Sequence, residues 1–563
     1  VVVWVIPGVS GGGTRGARVG KHVPSGLMER GLGVVFGIVG GIVLVTTFGV
    51  YTLAHRFWAV VYNSRHDGPG LITVASVHRY MQEFDFLVIG SGSGLDVANA
   101  MAGRGNSVAV VEEGRLGGTC LNRGCIPSKQ LLYHADVMET VEGAGAFEID
   151  AEVNDIDFAE IVRKVNEDVS ESSESIQRGL KSSNAHDLFE GTGQFVDDRT
   201  VEIVDGDDAG ATLRADTVLV ATGTRPSVPP IDGIDGVDYL TSTEALQLET
   251  APDRLVIVGG GYIAAELGHF FGTFGTDVTI VGRREHLLPE ADVEVGEAFT
   301  DRYADRFNVY TGYEAVAPEE ADGEVTVEAR PYPEANSVRA GDETVSAPDE
   351  AESVTVTGDE LLVAAGRRPN TDSLNLDATG VETGADGFIE TDEYLRTDAE
   401  GVWALGDIVG EYLLKHNANH EARTVVRNLF GDDLEAIEYD AMPFAVFASP
   451  EVAGVGASES ELREAGREYA TRTYEYEKTA RGGAMKADGF VKAIIDLEGE
   501  ILGCHIIGPE AADLIQEVVV SMTAGSGGVG DIRQSVHIHP ALSEVVQRAF
   551  SGRFTRGDAD HAH

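Results

Sequence analysis

The sequence predicts an α/β fold, because a short apolar strand, a glycine-rich turn and a helical stretch follow one another twice. The first copy starts at Phe84 and the second at Leu255, and each has a further apolar strand after its helix. A third region with both strand and helix patterns follows and runs to Phe550. A chain of 563 residues, 43% of them hydrophobic, has room for several such domains.

The predicted domain boundaries follow changes of pattern and composition along the chain. They are an N-terminal extension at 1–83, a first α/β domain at 84–247 with a central part at 367–440, a second α/β domain at 248–366, an α+β domain at 441–553 and a tail at 554–563. The first α/β domain is therefore expected to be interrupted by the second.

The first unit has the pattern of a dinucleotide-binding turn. Three glycines, Gly90, Gly92 and Gly94, permit a tight turn and a close approach of backbone N–H groups to a diphosphate. Glu112 ends the next strand 22 residues after Gly90, where a carboxylate suits a ribose hydroxyl. Leu95 stands at the usual third glycine position. A glycine-rich turn without a ligand is the alternative, but strand, helix and acid in register favour the nucleotide.

The second unit repeats this pattern without the acidic residue. Gly259 and Gly261 form the turn, and the strand at 277–281 leads into Arg283 and Arg284. A carboxylate there would repel a 2′-phosphate, whereas two arginines would bind it, so the sequence favours NADPH over NADH. The alternative, two solvated surface arginines, is less favoured in a chain this acidic.

Two of the three cysteines, Cys120 and Cys125, are separated by four residues. A short loop brings such a pair within disulfide reach, at Cα atoms about 7 Å or less apart. A predicted helix follows at 130–141, so Cys125 would lie near a helix N-terminus, which stabilises a thiolate. A structural disulfide or two unpaired core cysteines are the alternatives. Closing so short a loop adds little stability, so we favour redox chemistry.

A histidine pair near the C-terminus has the chemistry to protonate a leaving thiolate. His537 and His539 are followed by Glu544, a carboxylate that could orient either ring. Spacing alone does not choose between them, because residues i and i+2 share a face in an extended chain.

The net charge of -51 argues against a nucleic acid partner, since phosphates require cations. Because the negative charge is spread along the body of the chain, it favours a protein that works in high salt. We therefore expect this protein to be located in the cytoplasm of a halophile. No metal site is predicted, and the tail at 558–563 is expected to be a frayed terminus.

The first eighty residues differ from the rest, with seven Lys and Arg but two Asp and Glu. Residues 32–53 are uncharged and long enough to cross a bilayer, at about 20 residues per crossing. Two interpretations stay open: a membrane anchor, or upstream sequence translated from a misplaced start before Met81. The basic, glycine-rich composition favours the misplaced start. A membrane is expected as a partner only if residues 1–80 belong to the native protein.

Taken together, the residues at 117–129 and the order of the motifs resemble the class I pyridine nucleotide–disulfide oxidoreductases, the flavoproteins of the glutathione reductase, mycothione reductase and dihydrolipoyl dehydrogenase type. The resemblance implies two Rossmann-like domains, for tightly bound FAD at 84–247 and NAD(P) at 248–366, and a dimerisation domain at 441–553. It also implies a homodimer in which the other subunit completes each active site.

The resemblance assigns roles to matching positions. Cys120 would attack the substrate and Cys125 would face the flavin, with Lys129 and Glu266 paired beside it. His539, the histidine before proline, would be the acid–base, and Glu544 its partner. The implied cofactor-binding residues are Gly90, Gly92, Gly94, Glu112, Gly118, Thr119, Gly223, Gly259, Gly261, Tyr262, Arg283, Arg284, Gly406 and Asp407.

The implied function is NADPH-dependent reduction of the disulfide of a small thiol, in cell redox homeostasis. The C-terminal region lacks the cysteine pair typical of mercuric reductases, and the residues at 413–422 look most like mycothione reductase. The acidity suggests the bis-γ-glutamylcystine reductase branch of salt-loving archaea. The alternatives are a dihydrolipoyl dehydrogenase, which would carry out NAD-linked oxidation of dihydrolipoamide, and a flavoprotein redox sensor or binding component with low turnover.

Overall fold

The structure is a computed structural model that describes residues 81–340 and 351–557, and the backbone of five short strands outside these ranges. The chain divides into two compact units, Val1–Tyr80 and Met81–His563. No helix in the described part of the chain combines the length and the apolar character that a bilayer crossing requires.

The N-terminal compact unit, Val1–Tyr80, contains a four-stranded antiparallel sheet. Its strands, in spatial order, are β1 (Val34–Ile38), β2 (Gly41–Val45), β3 (Val60–Tyr62) and β4 (Leu71–Thr73). β1 and β2 lie within residues 32–53, for which a membrane helix was one of the two interpretations, and they are strands, which their valine and isoleucine residues favour. The other residues of 32–53 lie outside the described residues.

The first α/β domain is built on a mainly parallel sheet. Its elements are β5 (Gln82–Ile89), α1 (Gly94–Gly103), β6 (Val108–Glu112), α2 (Gly118–Arg123), α3 (Cys125–Glu142), α4 (Phe158–Ser182), β7 (His186–Glu190), β8 (Gly193–Asp197), β9 (Thr200–Ile203), β10 (Thr212–Val220), β11 (Thr224–Pro226) and α5 (Ser242–Ala245). The order is β7-β6-β5-β10-β9-β8, and the distant strand Val402–Ala404 also pairs with β10. β5 is buried on both faces at Phe86, Leu87 and Val88, as expected between helical layers.

The second α/β domain repeats this plan. Its elements are β12 (Arg254–Val258), α6 (Tyr262–Thr273), β13 (Asp277–Gly282), α7 (Val293–Ala304), β14 (Asn308–Thr311), β15 (Tyr313–Ala321), β16 (Glu324–Pro331), β17 (Val338–Ala340), β18 (Glu343–Val345), β19 (Val354–Gly358) and β20 (Glu360–Val363). One sheet has the order β18-β17-β14-β13-β12-β20, and β15, β16 and β19 form a separate antiparallel sheet.

The rest of the chain returns to the first domain and then forms an α+β domain. The elements are β21 (Arg367–Pro369), β22 (Val402–Ala404), α8 (Lys415–Phe430), β23 (Pro443–Val446), β24 (Val452–Gly456), α9 (Glu459–Glu464), β25 (Ala470–Glu475), α10 (Ala480–Met485), β26 (Phe490–Ile495), β27 (Ile501–Ile507), α11 (Ala511–Leu514), α12 (Gln516–Ala524), α13 (Val529–Gln534), α14 (Glu544–Ala549) and β28 (Thr555–Arg556). The last domain holds an antiparallel sheet in the order β23-β24-β27-β26-β25-β28. The predicted fold class is confirmed.

Candidate active site

The two cysteines lie at the junction of α2 and α3. Cys120 is half-buried within α2, and the exposed Cys125 is the first residue of α3, so this helix begins five residues earlier than the sequence predicted. Gly124 joins the helices, and a Cβ atom there would lie 2.9 Å from the Thr119 carbonyl oxygen. Both sulfurs are free thiols that contact each other. The two cysteines are therefore neighbours in space, as the short loop between them predicts.

The two thiols differ in acidity. The Cys120 thiol donates a hydrogen bond to the Cys125 sulfur, and this bond, with help from the Lys129 ammonium, lowers the pKa of Cys125 to about 6, although partial desolvation of the sulfur by surrounding residues acts in the opposite direction. The same bond, followed by burial, raises the pKa of Cys120 well above its ordinary range. The reduced pair therefore holds one proton at neutral pH, with the negative charge on Cys125 at the start of α3.

An ion pair fixes the charge beside Cys125. The Lys129 ammonium lies 2.7 Å from both carboxylate oxygens of Glu266, which is 4% exposed. Glu266 also accepts a hydrogen bond from the Phe447 backbone N–H at 3.0 Å, and the Lys129 ammonium lies 5.0 Å from the Phe447 ring centroid. The predicted Lys129–Glu266 contact is present, and it joins α3 to α6 and to the α+β domain.

We expect Lys129→Met to raise the pKa of the Cys125 thiol above about 6, because the substitution removes an ammonium that stabilises the thiolate. The rate of iodoacetamide alkylation of the reduced enzyme, measured against pH, reports this pKa. Lys164→Met, at an exposed lysine of α4, is the control and should leave the alkylation profile unchanged. An unchanged profile in Lys129→Met would contradict the assigned electrostatic role.

The glycine turn of the first unit forms one wall of the cleft that contains the cysteines. Gly90 has φ +102°, and a Cβ atom there would lie 2.3 Å from the Ala221 carbonyl oxygen, so only glycine fits. The close approach of helix and strand occurs at Gly94, where a Cβ would lie 2.6 Å from a Val88 methyl. Leu95, at the third glycine position, is buried instead in the hydrophobic core.

The acid of the first unit is in place and connects the turn to the cysteine loop. Glu112 accepts hydrogen bonds from the Ser91 backbone N–H at 2.9 Å and from its hydroxyl at 2.5 Å. The Ser91 hydroxyl in turn accepts one from the Gly117 N–H at 3.0 Å. A Cβ at Gly92 would meet nothing within 4 Å, so this turn faces open space. Turn, acid and open space together fit a bound dinucleotide.

Other residues that the resemblance assigns to cofactor binding line the same cleft. They are Gly118, Thr119, Gly223, Tyr262, Gly406 and Asp407. The Asp407 carboxylate accepts a hydrogen bond from the Thr224 hydroxyl at 2.8 Å, and Arg367 lies 4.0 Å away. Tyr262 is the first residue of α6 and is 39% exposed. The cleft is thus lined by both α/β domains, which is what electron transfer between two nucleotides requires.

The second glycine turn, Gly259 to Gly261, is not among the residues that line this cleft, although Tyr262 directly after it is. A Cβ at Gly259 would lie 2.2 Å from the Ala364 carbonyl oxygen, whereas one at Gly261 would face open space. Gly282 ends β13 against the turn, and Arg283 and Arg284 follow it as exposed side chains. This position fits the ribose end of a second dinucleotide.

The structure distinguishes the two histidines that spacing left equivalent. His539 Nδ1 lies 2.9 Å and 3.0 Å from the two carboxylate oxygens of Glu544, and this hydrogen bond lowers the pKa of Glu544. The His539 side chain is 72% exposed. His537 is instead bound within its own domain, with Nε2 2.8 Å from Glu517 and a side chain 7% exposed. His539 is therefore the more exposed of the two rings, although it does not line the cleft of its own chain among the described residues.

Sequence reasoning missed a buried group beneath the Gly406 turn. Glu421 of α8 is fully buried and accepts hydrogen bonds from the backbone N–H of Gly406 and, at 2.9 Å, from the Asn417 amide and the Tyr439 hydroxyl. Burial raises the pKa of Glu421 to about 7. The buried face of α8 includes Asn417, Glu421 and Thr424, and this polar row at helical spacing resembles a solvent-facing side. The pattern therefore gave no signal of burial.

Comparisons with known proteins agree with this architecture. Residues 84–422 match the family described as pyridine nucleotide-disulphide oxidoreductase, and residues 442–550 match its dimerisation domain, which supports a homodimer. A mycothione reductase of Mycobacterium tuberculosis is 35% identical over 482 residues, which cover 84% of this chain and 100% of that protein. Dihydrolipoyl dehydrogenase 3 of Haloarcula marismortui is 35% identical over 472 residues, 83% of this chain and 95% of that protein.

A solved structure is also similar to this chain. The Cu(II) complex of the HOCl-induced flavoprotein disulfide reductase RclA from Escherichia coli is 26% identical with a TM-score of 0.72, over 84% of this chain and 99% of that one. Fold and site together define a flavoprotein thiol–disulfide oxidoreductase. The chain belongs to the pyridine nucleotide-disulphide oxidoreductase family, which uses FAD and NAD(P)H. The predicted family, enzyme class and cofactor classes are confirmed.

Proposed function

We propose that this protein is an FAD-dependent and NADPH-dependent reductase of a low-molecular-weight disulfide, acting through Cys120 and Cys125. The observation that carries the proposal is the asymmetric thiol pair, in which Cys125 has its pKa lowered to about 6 and Cys120 keeps its proton, within a cleft lined by both α/β domains. A structural pair of cysteines has no need for such asymmetry.

The proposed cycle starts from the Cys120–Cys125 disulfide. The bound nucleotides supply the electrons, as hydride from NADPH that reaches this disulfide by way of FAD. In the reduced pair Cys120 loses its proton to His539 and attacks the substrate disulfide, forming a mixed disulfide with one half of the substrate. The first thiol leaves with the proton that His539 returns. Cys125 then attacks the Cys120 sulfur, re-forms the internal disulfide and expels the second thiol, which takes a proton from solvent.

We assign the proton transfer to His539 of the other subunit. His539 is 72% exposed, and it is flanked by Val536 and Ile538, apolar side chains that are 99% and 77% exposed. Exposed apolar side chains beside an exposed histidine are typical of a surface that another subunit covers. Glu544 orients the ring from its own chain.

The choice of substrate rests on local chemistry, because the mycothione reductase and the dihydrolipoyl dehydrogenase are equally similar to this chain. Arg283 and Arg284 favour an NADPH-linked reductase, because two arginines would bind a 2′-phosphate. The charge of -51 and the relative from Haloarcula marismortui favour a halophile, and hence bis-γ-glutamylcystine as the disulfide. The runner-up is NAD-linked oxidation of dihydrolipoamide.

The deciding experiment is a steady-state comparison in high salt of NADPH with NADH as reductants of bis-γ-glutamylcystine, mycothiol disulfide and lipoamide. We expect the highest kcat/KM with NADPH and bis-γ-glutamylcystine. Preference for NADH and lipoamide would instead establish the runner-up. If a purified 81–563 chain oxidised NADPH without a disulfide, yet reduced none of the three, the low-turnover sensor alternative would be favoured.

Replacing both Arg283 and Arg284 by leucine is expected to raise KM for NADPH at least about tenfold and to leave KM for NADH nearly unchanged. The reason is that a hydrogen bond to a charged group contributes about 1.5–3 kcal/mol, and about 1.4 kcal/mol corresponds to a factor of ten. Arg330→Leu, at an exposed arginine of β16 in the same domain, is the matched control. Equal changes for both nucleotides would show that the arginines do not read the 2′-phosphate.

A further inference from the structure

Lys415 places a positive charge in the cleft that the proposed cycle does not use. It is the first residue of α8 and lines the cleft. Its ammonium donates a hydrogen bond at 2.6 Å to the hydroxyl of Ser93, the buried residue directly before α1. Within residues 81–340 and 351–557 Lys415 makes no ion pair, unlike Lys129, which is neutralised by Glu266.

The position of this ammonium is held by a chain of hydrogen bonds. The Ser93 hydroxyl accepts from Lys415 and donates at 3.1 Å to the Asn419 side-chain oxygen. Asn419 lies four residues after Lys415, so both side chains stand on the same face of α8. An ammonium has three N–H groups, and the bond to Ser93 uses one of them, which leaves two for a ligand in the cleft.

The surroundings of the Lys415 ammonium would destabilise its positive charge in the absence of a bound anion. The N-terminal ends of α1 and α8 both carry positive partial charge, and α8 has no acidic residue in its first turn. Asp96 in the first turn of α1 is exposed and forms no ion pair with Lys415. A cation near two helix N-termini is stabilised when an anion binds between them.

We propose that Lys415 is an additional FAD-binding residue whose ammonium pairs with the diphosphate of the cofactor. Ser93 belongs to the glycine turn whose N–H groups face that diphosphate in a dinucleotide-binding unit. The Cys120 thiolate is the competing anion. However, the Cys125 hydrogen bond and burial outweigh the effect of Lys415 and keep the pKa of Cys120 high, so Lys415 has no thiolate to neutralise in the reduced pair.

The test is the rate of FAD release from the holoenzyme, followed as the increase in flavin fluorescence after dilution. We expect Lys415→Met to release FAD at least about tenfold faster than the wild type, because it loses a charge-assisted bond, and Lys415→Arg to stay close to the wild type. Lys164→Met, at a lysine 65% exposed on α4, controls for loss of one positive charge. The proposal would be overturned if Lys415→Met released FAD at the wild-type rate, or if Lys415→Arg failed to retain FAD.

A second comparison separates the diphosphate from the thiolate. The Lys415→Met effect is measured again in a Cys120→Ser background, which has no thiol at that position. The proposal requires the same acceleration of FAD release in both backgrounds. If the acceleration disappears with Cys120→Ser, Lys415 acts through the thiol and the diphosphate assignment is overturned.

Discussion

Cys120→Ser is expected to lower disulfide reduction at least about 10³-fold and to leave FAD bound, because a serine hydroxyl cannot form the mixed disulfide. The cofactor turn at Gly90, Gly92 and Gly94 lies in a different segment, so flavin absorbance should be retained. Steady-state NADPH oxidation with a disulfide acceptor measures the loss. Disulfide reduction at the wild-type rate would refute the thiol mechanism.

Comparison with Cys120→Ala tests the asymmetry of the pair. A serine hydroxyl still donates to the Cys125 sulfur, so the pKa of Cys125 should stay near about 6, whereas alanine removes the donor that contributes most to lowering it. Both variants should be inactive, but only Cys120→Ala should shift the pH dependence of Cys125 alkylation to higher pH. The sign follows because loss of a hydrogen bond to the thiolate favours the neutral thiol.

The features that the sequence predicted well are those formed by residues close together in the chain. The strand, glycine turn and acid around Gly90 and Glu112 span 22 residues, and the cysteine loop spans fewer. Their geometry follows from backbone conformation, which local residues determine. Lys129 and Glu266, by contrast, are 137 residues apart, and only the resemblance to a family indicated that they pair.

Contacts made by the folded chain were beyond the reach of pattern alone. His537 and His539 are equivalent in spacing, and the choice depends on Glu517 from α12 and Glu544 at the start of α14. Lys415 lies in the stretch 413–422 that indicated the family, but nothing in that stretch indicated cofactor binding by its side chain, because lysine side chains are mostly exposed to solvent. The apolar run at 32–53 had the length of a membrane helix, but apolar length alone does not distinguish a helix from the strands found in part of it.

His539→Gln is expected to lower disulfide reduction about 10²–10⁴-fold, the usual contribution of a general acid–base, while Cys125 alkylation stays as in the wild type. The sharper question is which subunit supplies this ring. If the two chains carry different affinity tags, the heterodimer of Cys120→Ser with His539→Gln can be purified by two successive affinity steps. If His539 serves the other subunit, one of the two sites has an intact thiol pair and an intact histidine, and about half of the wild-type activity returns.

The matched control is a heterodimer of wild-type chain with a chain that carries both Cys120→Ser and His539→Gln. With His539 acting across the interface, each of its sites lacks either the thiol or the histidine, so this dimer should be inactive. With His539 acting on its own chain, the two outcomes exchange: the control keeps about half of the activity, and the first heterodimer has none. The two dimers contain the same substitutions in equal number, so a difference in activity can arise only from the subunit that carries each.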